Sequence, residues 1–317
     1  MPKGVDGVIV TGLGAGAHRD AMPVIRMQPC LQNQGYAVGF LAAKAVKENL
    51  SVRDVDMKSI QKHLVEIGNL PARVLTDDDN MPFTDQQLLE SVDKVKNDFE
   101  GLEILFSDME KAKTLLETAL RNSINRKERL NLAIALGVLG SDHGWEILAD
   151  AVTAYRHWDE GWIFTGMGQF GLSMSFLDTI IIALATSKRE ESLPVIIEKA
   201  EALTPDHEFS HFRAVSVAFE TIGNKTAAPV LFDLLNMAGV MGHHVISKTD
   251  AVRATEPSHV DVTLRNNALR ELHLARALYR CGDQYELGRQ ILEKYSNDLH
   301  GHYFRHATGV LDLGFLM

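Results

Sequence analysis

Cysteine is nearly absent from this chain: Cys30 and Cys281 are the only two among 317 residues. That leaves no disulfide framework and no multi-thiolate zinc spacing, and it fits a reducing compartment. Stability has to come from a core, which a chain about two domains long can bury. Long apolar runs are missing as well. Residues 180–185 are apolar, but a membrane span needs about 18 such residues. Glycines and charges interrupt the first 23 residues before a secretory signal can form. Positive charge is in deficit: the formal net charge is −10, which disfavours nucleic acid and anionic membrane as partners. These absences point to a cytoplasmic protein, the alternative being a signal peptide lost from the N-terminus.

The most informative stretch is residues 5–39. Val8, Ile9 and Val10 read as a short apolar strand. It runs into Gly12, Leu13, Gly14, Ala15, Gly16 and Ala17, a turn so poor in side chains that backbone amides can approach a bulky ligand. A loop punctuated by Pro23 and Pro29 carries His18, Arg19 and Arg26. After Cys30 a helix is expected to open at residues 34–39 and to continue through residues 40–45. Gly12, Gly14 and Ala17 fit G-x-G-x-x-[GA]. A dinucleotide fingerprint, however, needs its helix to begin at the glycines, and the two prolines oppose that. The second strand with its acidic residue, about 20 positions on, is missing too.

The order strand, Gly-rich turn, His, Arg, Cys and then G-x-A-x-G opening an alanine-rich helix resembles the C-terminal end of the FAD-dependent oxidoreductase family. The matching positions are Gly12, His18, Arg26, Cys30, Gly35, Ala37 and Gly39, within residues 4–70. Leu13 and Tyr36 stand where the family often has Arg and Gln, and the family's fingerprint for the ADP half of FAD is absent. The resemblance implies a glutathione-reductase-like flavin fold that closes with this strand and helix, with FAD as cofactor of the intact enzyme. It implies Gly12, Gly14, Arg26, Gly35, Tyr36 and Gly39 as cofactor-binding positions, and Arg26 and His18 as candidates for catalysis. A helix opening at Gly35 would direct its positive end at the flavin and favour negative charge there during hydride transfer. The implied partners are the missing N-terminal flavin domain or a partner chain, an unknown small-molecule substrate, and a second copy in a homo-oligomer. The isolated chain is expected to hold FAD weakly and to be inactive.

Organisation beyond that stretch is helical. Residues 1–70 are read as the C-terminal segment of a flavin-binding domain, 71–83 as a linker and 84–317 as a helical-repeat domain. In the last, apolar helices recur at Leu132, Ile180, Val215 and Leu272, each followed by a turn and an amphipathic helix through Leu148, Ile196, Leu231 or Ile291. This resembles HEAT-like repeats, in which helix pairs stack and bury their apolar faces on their neighbours. The expected fold is therefore mainly α, a HEAT-like α-α superhelix preceded by a short strand-loop-helix remnant of an α/β flavin-binding domain. The spacing between units leaves insertions at residues 153–172 and 237–262, rich in Gly, His and Trp, where function tends to reside.

His207, Glu208 and His211 match H-E-x-x-H, but Thr204 and Pro205 place the motif at an exposed helix start and no third ligand follows in register. No metal is assigned. Histidines cluster at 207/211, 243/244 and 300/302/306; they line a pocket if successive units project them to one side, although histidines in loops and helix starts are ordinary. Trp158, Trp162, Phe164 and Phe170 either wedge the first insertion against the repeats or cover a ligand. The leading expectation is a C-terminal portion of an FAD-dependent oxidoreductase whose helical domain covers the site or binds substrate. The alternative is a HEAT-repeat interaction scaffold without catalysis.

Overall fold

The structure, a computed structural model, describes residues 4–16, 22–77, 81–161, 175–254 and 261–313. The chain divides into two compact units, Met1–Met81 and Pro82–Met317. Among the described residues there is helix and no β-strand.

Unit 1 contains a single helical turn at Met22–Ile25, then α1 (Gln28–Glu48) and α2 (Met57–Glu66). Its core is small: Ala45, Val55, Ile60 and Leu64, with Phe40 and Leu41 packed against them. The Asp56 side chain caps α2 by accepting from the Lys58 N–H, 3.0 Å. The Lys58 ammonium then donates to the carbonyls of Val74, Leu75 and Asp77, closing the 3-10 turn at Ala72–Leu75.

Two expectations for this unit are corrected. The strand at Val8, Ile9 and Val10 does not form. A strand needs a partner for its backbone N–H and C=O groups, and none lies beside it: Val8 is 44% exposed and Val10 41%. Nor does the helix wait for Gln34. It opens at Gln28 with Pro29 in its first turn, where a residue without an N–H costs nothing and its fixed φ is already helical. The remnant of an α/β flavin-binding domain is therefore absent, and the unit is helical throughout its regular structure.

Unit 2 carries α3 (Asp85–Asp98), α4 (Met109–Asn122), α5 (Arg126–Val138), α6 (Trp145–Ala154), α7 (Phe176–Thr186), α8 (Leu193–Glu201), α9 (Phe209–Ile222), α10 (Ala228–Asn236), α11 (Lys248–Arg253), α12 (Thr263–Arg280), α13 (Leu287–Tyr295) and α14 (Gly301–Leu313). The mainly α expectation holds here. Helices α3, α5, α7, α9 and α12 stack in succession as one layer, while α6, α8 and α10 form the second. Within the first layer α7 is apolar nearly all round, as a helix covered on most sides must be: it buries Leu177, Ile180, Ile181, Ala183, Leu184 and Ala185. The second layer is amphipathic and begins with proline in α8 and α10.

Closest approach within the first layer occurs at Gly137, where a Cβ would stand 2.4 Å from the Ala183 carbonyl oxygen. Cys281 lies under the same core, 1% exposed, its thiol pushed up to about 12 by burial first and then by the Glu220 charge.

The turns from first to second layer are short. The returns from second to first are where the chain lengthens, at residues 155–175 and 237–262, so both insertions emerge at the edge where α7, α9 and α12 begin.

These contacts set two opposite outcomes. Gly137→Ala pushes α5 off the α7 backbone and is expected to lower stability by about 1–3 kcal/mol. Gly39→Ala in α1, with nothing within 4 Å of the added carbon, is expected to raise helix stability by about 1 kcal/mol. Thermal denaturation of the two variants checks both signs.

Candidate functional site

The second insertion is held by two adjacent charged residues buried in α12. Arg270 and Glu271 of α12 are 6% and 1% exposed. Arg270 donates to the carbonyls of Pro205 (2.7 Å) and Gly239 (3.0 Å), and lies 5.1 Å from the centre of the Phe212 ring. Glu271 accepts from the backbone N–H groups of Gly242 (2.9 Å) and His243 (2.8 Å) and from the Tyr295 hydroxyl (2.8 Å). A buried carboxylate without donors would be prohibitive; here the inserted loop supplies them. Asp298, in the connection between α13 and α14, does the same, accepting from Val245 N–H (2.7 Å), His300 N–H (2.7 Å) and His300 Nδ1–H (2.8 Å). A backbone bond from Leu299 N–H to the Val245 carbonyl, 2.8 Å, joins the two loops.

The result is a cavity of about 590 Å³ whose walls include His243, His244, Arg253, Arg265, His300 and His302, with Tyr303 and Asp250 beside them. Four of the seven clustered histidines are thus brought together. His300 and His302 stand 6.0 Å apart, ring centre to ring centre, and His302 is 4.0 Å from Tyr303. The His302 pKa is lowered, by burial first and then by the charges of His300, Arg305 and Arg265, against Asp298.

The other histidines go elsewhere. His306 accepts from Arg276 at 3.3 Å and is pushed down to about 4 by burial, then by Arg276 and Arg280. His207 precedes α9, and His211 sits in its first turn with 0% exposure, not at an exposed helix start. Nδ1 of His211 donates to Asp178 (2.7 Å) and Nε2 donates to the Asp159 carbonyl (3.1 Å). Both partners only accept, so both nitrogens carry protons and the ring is a cation, with Trp158 4.5 Å away. Neither nitrogen keeps a lone pair for a metal. Burial pulls the His211 pKa down, but the Asp178 bond and charge, Glu208 and the Asp159 carbonyl outweigh it and hold it above the usual range. The Asp159 carboxylate meanwhile accepts from the Ser175 hydroxyl (2.5 Å) and the Leu177 N–H (3.2 Å). This cluster fastens both ends of the first insertion to α7 and α9. Gly161 is required there, since a Cβ would fall 2.5 Å from the Glu208 Cβ and 2.8 Å from His211 Nε2. Trp162, Phe164 and Phe170 lie outside the described residues.

Of the positions singled out in unit 1, Gly12 and Gly14 form a 3-10 turn that Thr11 links to Gln34, 3.3 Å. Tyr36 bonds to His63 (2.8 Å), which stacks on Phe40 at 3.9 Å. Arg26 is exposed just before α1. Gly35 and Gly39 are interior to α1, so the positive end of its dipole lies at Gln28, two turns ahead of Gly35. His18 lies outside the described residues.

A family model for FAD dependent oxidoreductases matches residues 1–64, a minor part of 317 residues. Comparison with curated proteins and with solved structures returned no match. The match covers the N-terminal stretch alone, and the strand on which the flavin-fold resemblance rested is not there. The reading of this chain as the C-terminal portion of an FAD-dependent oxidoreductase, with a flavin-proximal strand and helix, is therefore set aside. Among the described residues no helix is long and apolar enough to cross a membrane, and no group of three or more His, Cys, Asp or Glu is placed to hold a metal ion.

Two opposed titrations shape stability. His211 has a raised pKa, so its contribution is complete below the ordinary histidine value and is lost as pH rises through the raised one. His273, pushed down to about 3 by burial, then Arg276, His306 and Arg213, and His306 act the other way. Their contribution is complete above the ordinary value and is lost as pH falls toward 3–4. Urea denaturation is expected to show stability falling on both sides of neutrality. His211→Gln should cost about 3 kcal/mol, the scale for orphaning one member of a buried pair, and should flatten the alkaline limb while leaving the acid limb.

Proposed function

We propose that this chain is a helical-repeat interaction module that captures a partner polypeptide and carries out no reaction of its own. One observation carries the reading: the segments that build the histidine-lined cavity also place large apolar side chains in solvent. Ile246 (52%), Val252 (76%), Leu299 (55%) and Phe304 (42%) are exposed next to cavity residues in the chain. Apolar side chains gathered around a polar centre are the composition of an interface awaiting its other half. The buried charges around them brace loops, as Arg270, Glu271 and Asp298 do, and are not directed at a common reacting atom.

The short family match at residues 1–64 supplies an association with flavoproteins, and the module reading assigns it no redox step. Gly12, Gly14, Arg26, Tyr36 and their neighbours form on this reading a helical attachment surface of unit 1.

The test is affinity capture with the whole chain against the variant Val252→Asp/Leu299→Asp. Both positions are exposed, so the thermal midpoint should not move. A discrete polypeptide held in stoichiometric amount by the parent chain and released by the variant is expected. Stoichiometric flavin retained on purification and reduced by a substrate would overturn the reading, as would capture that the two substitutions leave unchanged.

A further inference from the structure

We propose that the cavity between α11, α12 and α14 is an anion site that takes a phosphate group, borne as a monoester on the partner or present as the free ion. The inference rests on the interaction-module reading and adds the chemistry recognised. Three observations converge. The first is the lining: Arg253, Arg265, His243, His244, His300 and His302 all line one space of about 590 Å³, with Arg265 also donating to the Asn266 side-chain oxygen (3.4 Å) and the His243 ring bonded to the Gly239 carbonyl (3.0 Å). Arginine binds phosphate oxygens with paired N–H donors, and imidazole adds donors that gain charge on protonation.

The second is backbone polarity. Arg265 lies in the first turn of α12 and His302 in the first turn of α14; the 13-residue α14 begins at the cavity, whereas the Thr263 N–H at the start of α12 is held by Asp261 (2.9 Å). Helix starts present N–H groups and a positive dipole end, which favour an anion. A helix start beside arginine and histidine side chains is a stronger arrangement than either alone.

The third is what happens to the acids nearby. Asp298 is fully occupied by the Val245 and His300 N–H groups, and Glu271 by Gly242, His243 and Tyr295. Asp250, at the wall, accepts from the Ser247 hydroxyl at 2.6 Å. The Asp298 and Glu271 carboxylates thus face loop donors and are not part of the cavity wall, which leaves Asp250 as the acid on it.

The experiment is calorimetric titration of the whole chain with inorganic phosphate and, separately, with O-phosphoserine, at constant ionic strength in chloride. Arg253 and His302 are exposed, so Arg253→Gln/His302→Gln should fold as the parent does; Lys94→Gln, an exposed residue of α3, removes one positive charge elsewhere. Saturable binding of either probe is expected, weakened about tenfold or more by the double substitution, a loss on the scale of removing paired charged contacts, and unaffected by Lys94→Gln. Tighter binding of phosphoserine identifies a monoester as the ligand; equal binding identifies the free ion. Heat no greater than that of chloride, or equal weakening by Lys94→Gln, would overturn the site. Phosphate binding without capture of any polypeptide would keep the site and remove the module reading. Capture that phosphate does not compete with, in a chain that binds no phosphate, would do the reverse.

Discussion

A carboxylate in an apolar helix face must find hydrogen-bond donors or force the helix apart, and Glu271 is where this protein meets that constraint. It occupies the stripe of α12 that also holds Ala268, Leu272, Ala275 and Leu278, where an apolar residue would pack without help. Its oxygens instead fix the backbone at Gly242 and His243 and the hydroxyl of Tyr295. Burial and the Glu271 charge in turn push the Tyr295 phenol well above its usual range. With Arg270 tying down Pro205 and Gly239, two adjacent residues decide where the inserted loop goes. The cavity exists because that loop is not free to collapse onto the helix.

The helical layers were legible in the sequence because each depends on local periodicity. Residues 132–139, 179–185, 214–222 and 269–278 repeat an apolar pattern at helical spacing, and such a pattern can be buried only by stacking. The N-terminal strand was misread for the converse reason. Val8, Ile9 and Val10 have strand composition, but a strand is a property of a pair, and the chain offers no second member. Pro29 was taken as a barrier when its position made it a starter; position relative to an unknown helix start cannot be read from the residue itself.

The site was legible only as a tally of histidines. That His243, His244, His300 and His302 share a wall follows from Asp298 and Glu271 fastening the inserted loop from 53 and 28 positions away in the chain. The signal that existed was the acid and base inside the apolar run at Leu269, Arg270, Glu271 and Leu272, charged residues where periodicity demands burial. His211 shows the same logic in the first insertion. The missing third ligand already argued against a metal at H-E-x-x-H, but did not reveal that Asp178 and the Asp159 carbonyl bond to both nitrogens of His211. Neither partner is near it in sequence.

The lengthened connections all return from the second layer to the first, while the opposite turns stay short. This separates two kinds of inheritance within one chain. One edge is a ruler, in which a residue gained or lost would shift the register of every helix after it. The other edge is a margin, where added length costs only slowly growing loop entropy and leaves the stacking untouched. Descendants of such a chain can therefore exchange what they recognise by rewriting the margin, one connection at a time, and each rewriting is secured by a few buried charges on helices that do not change.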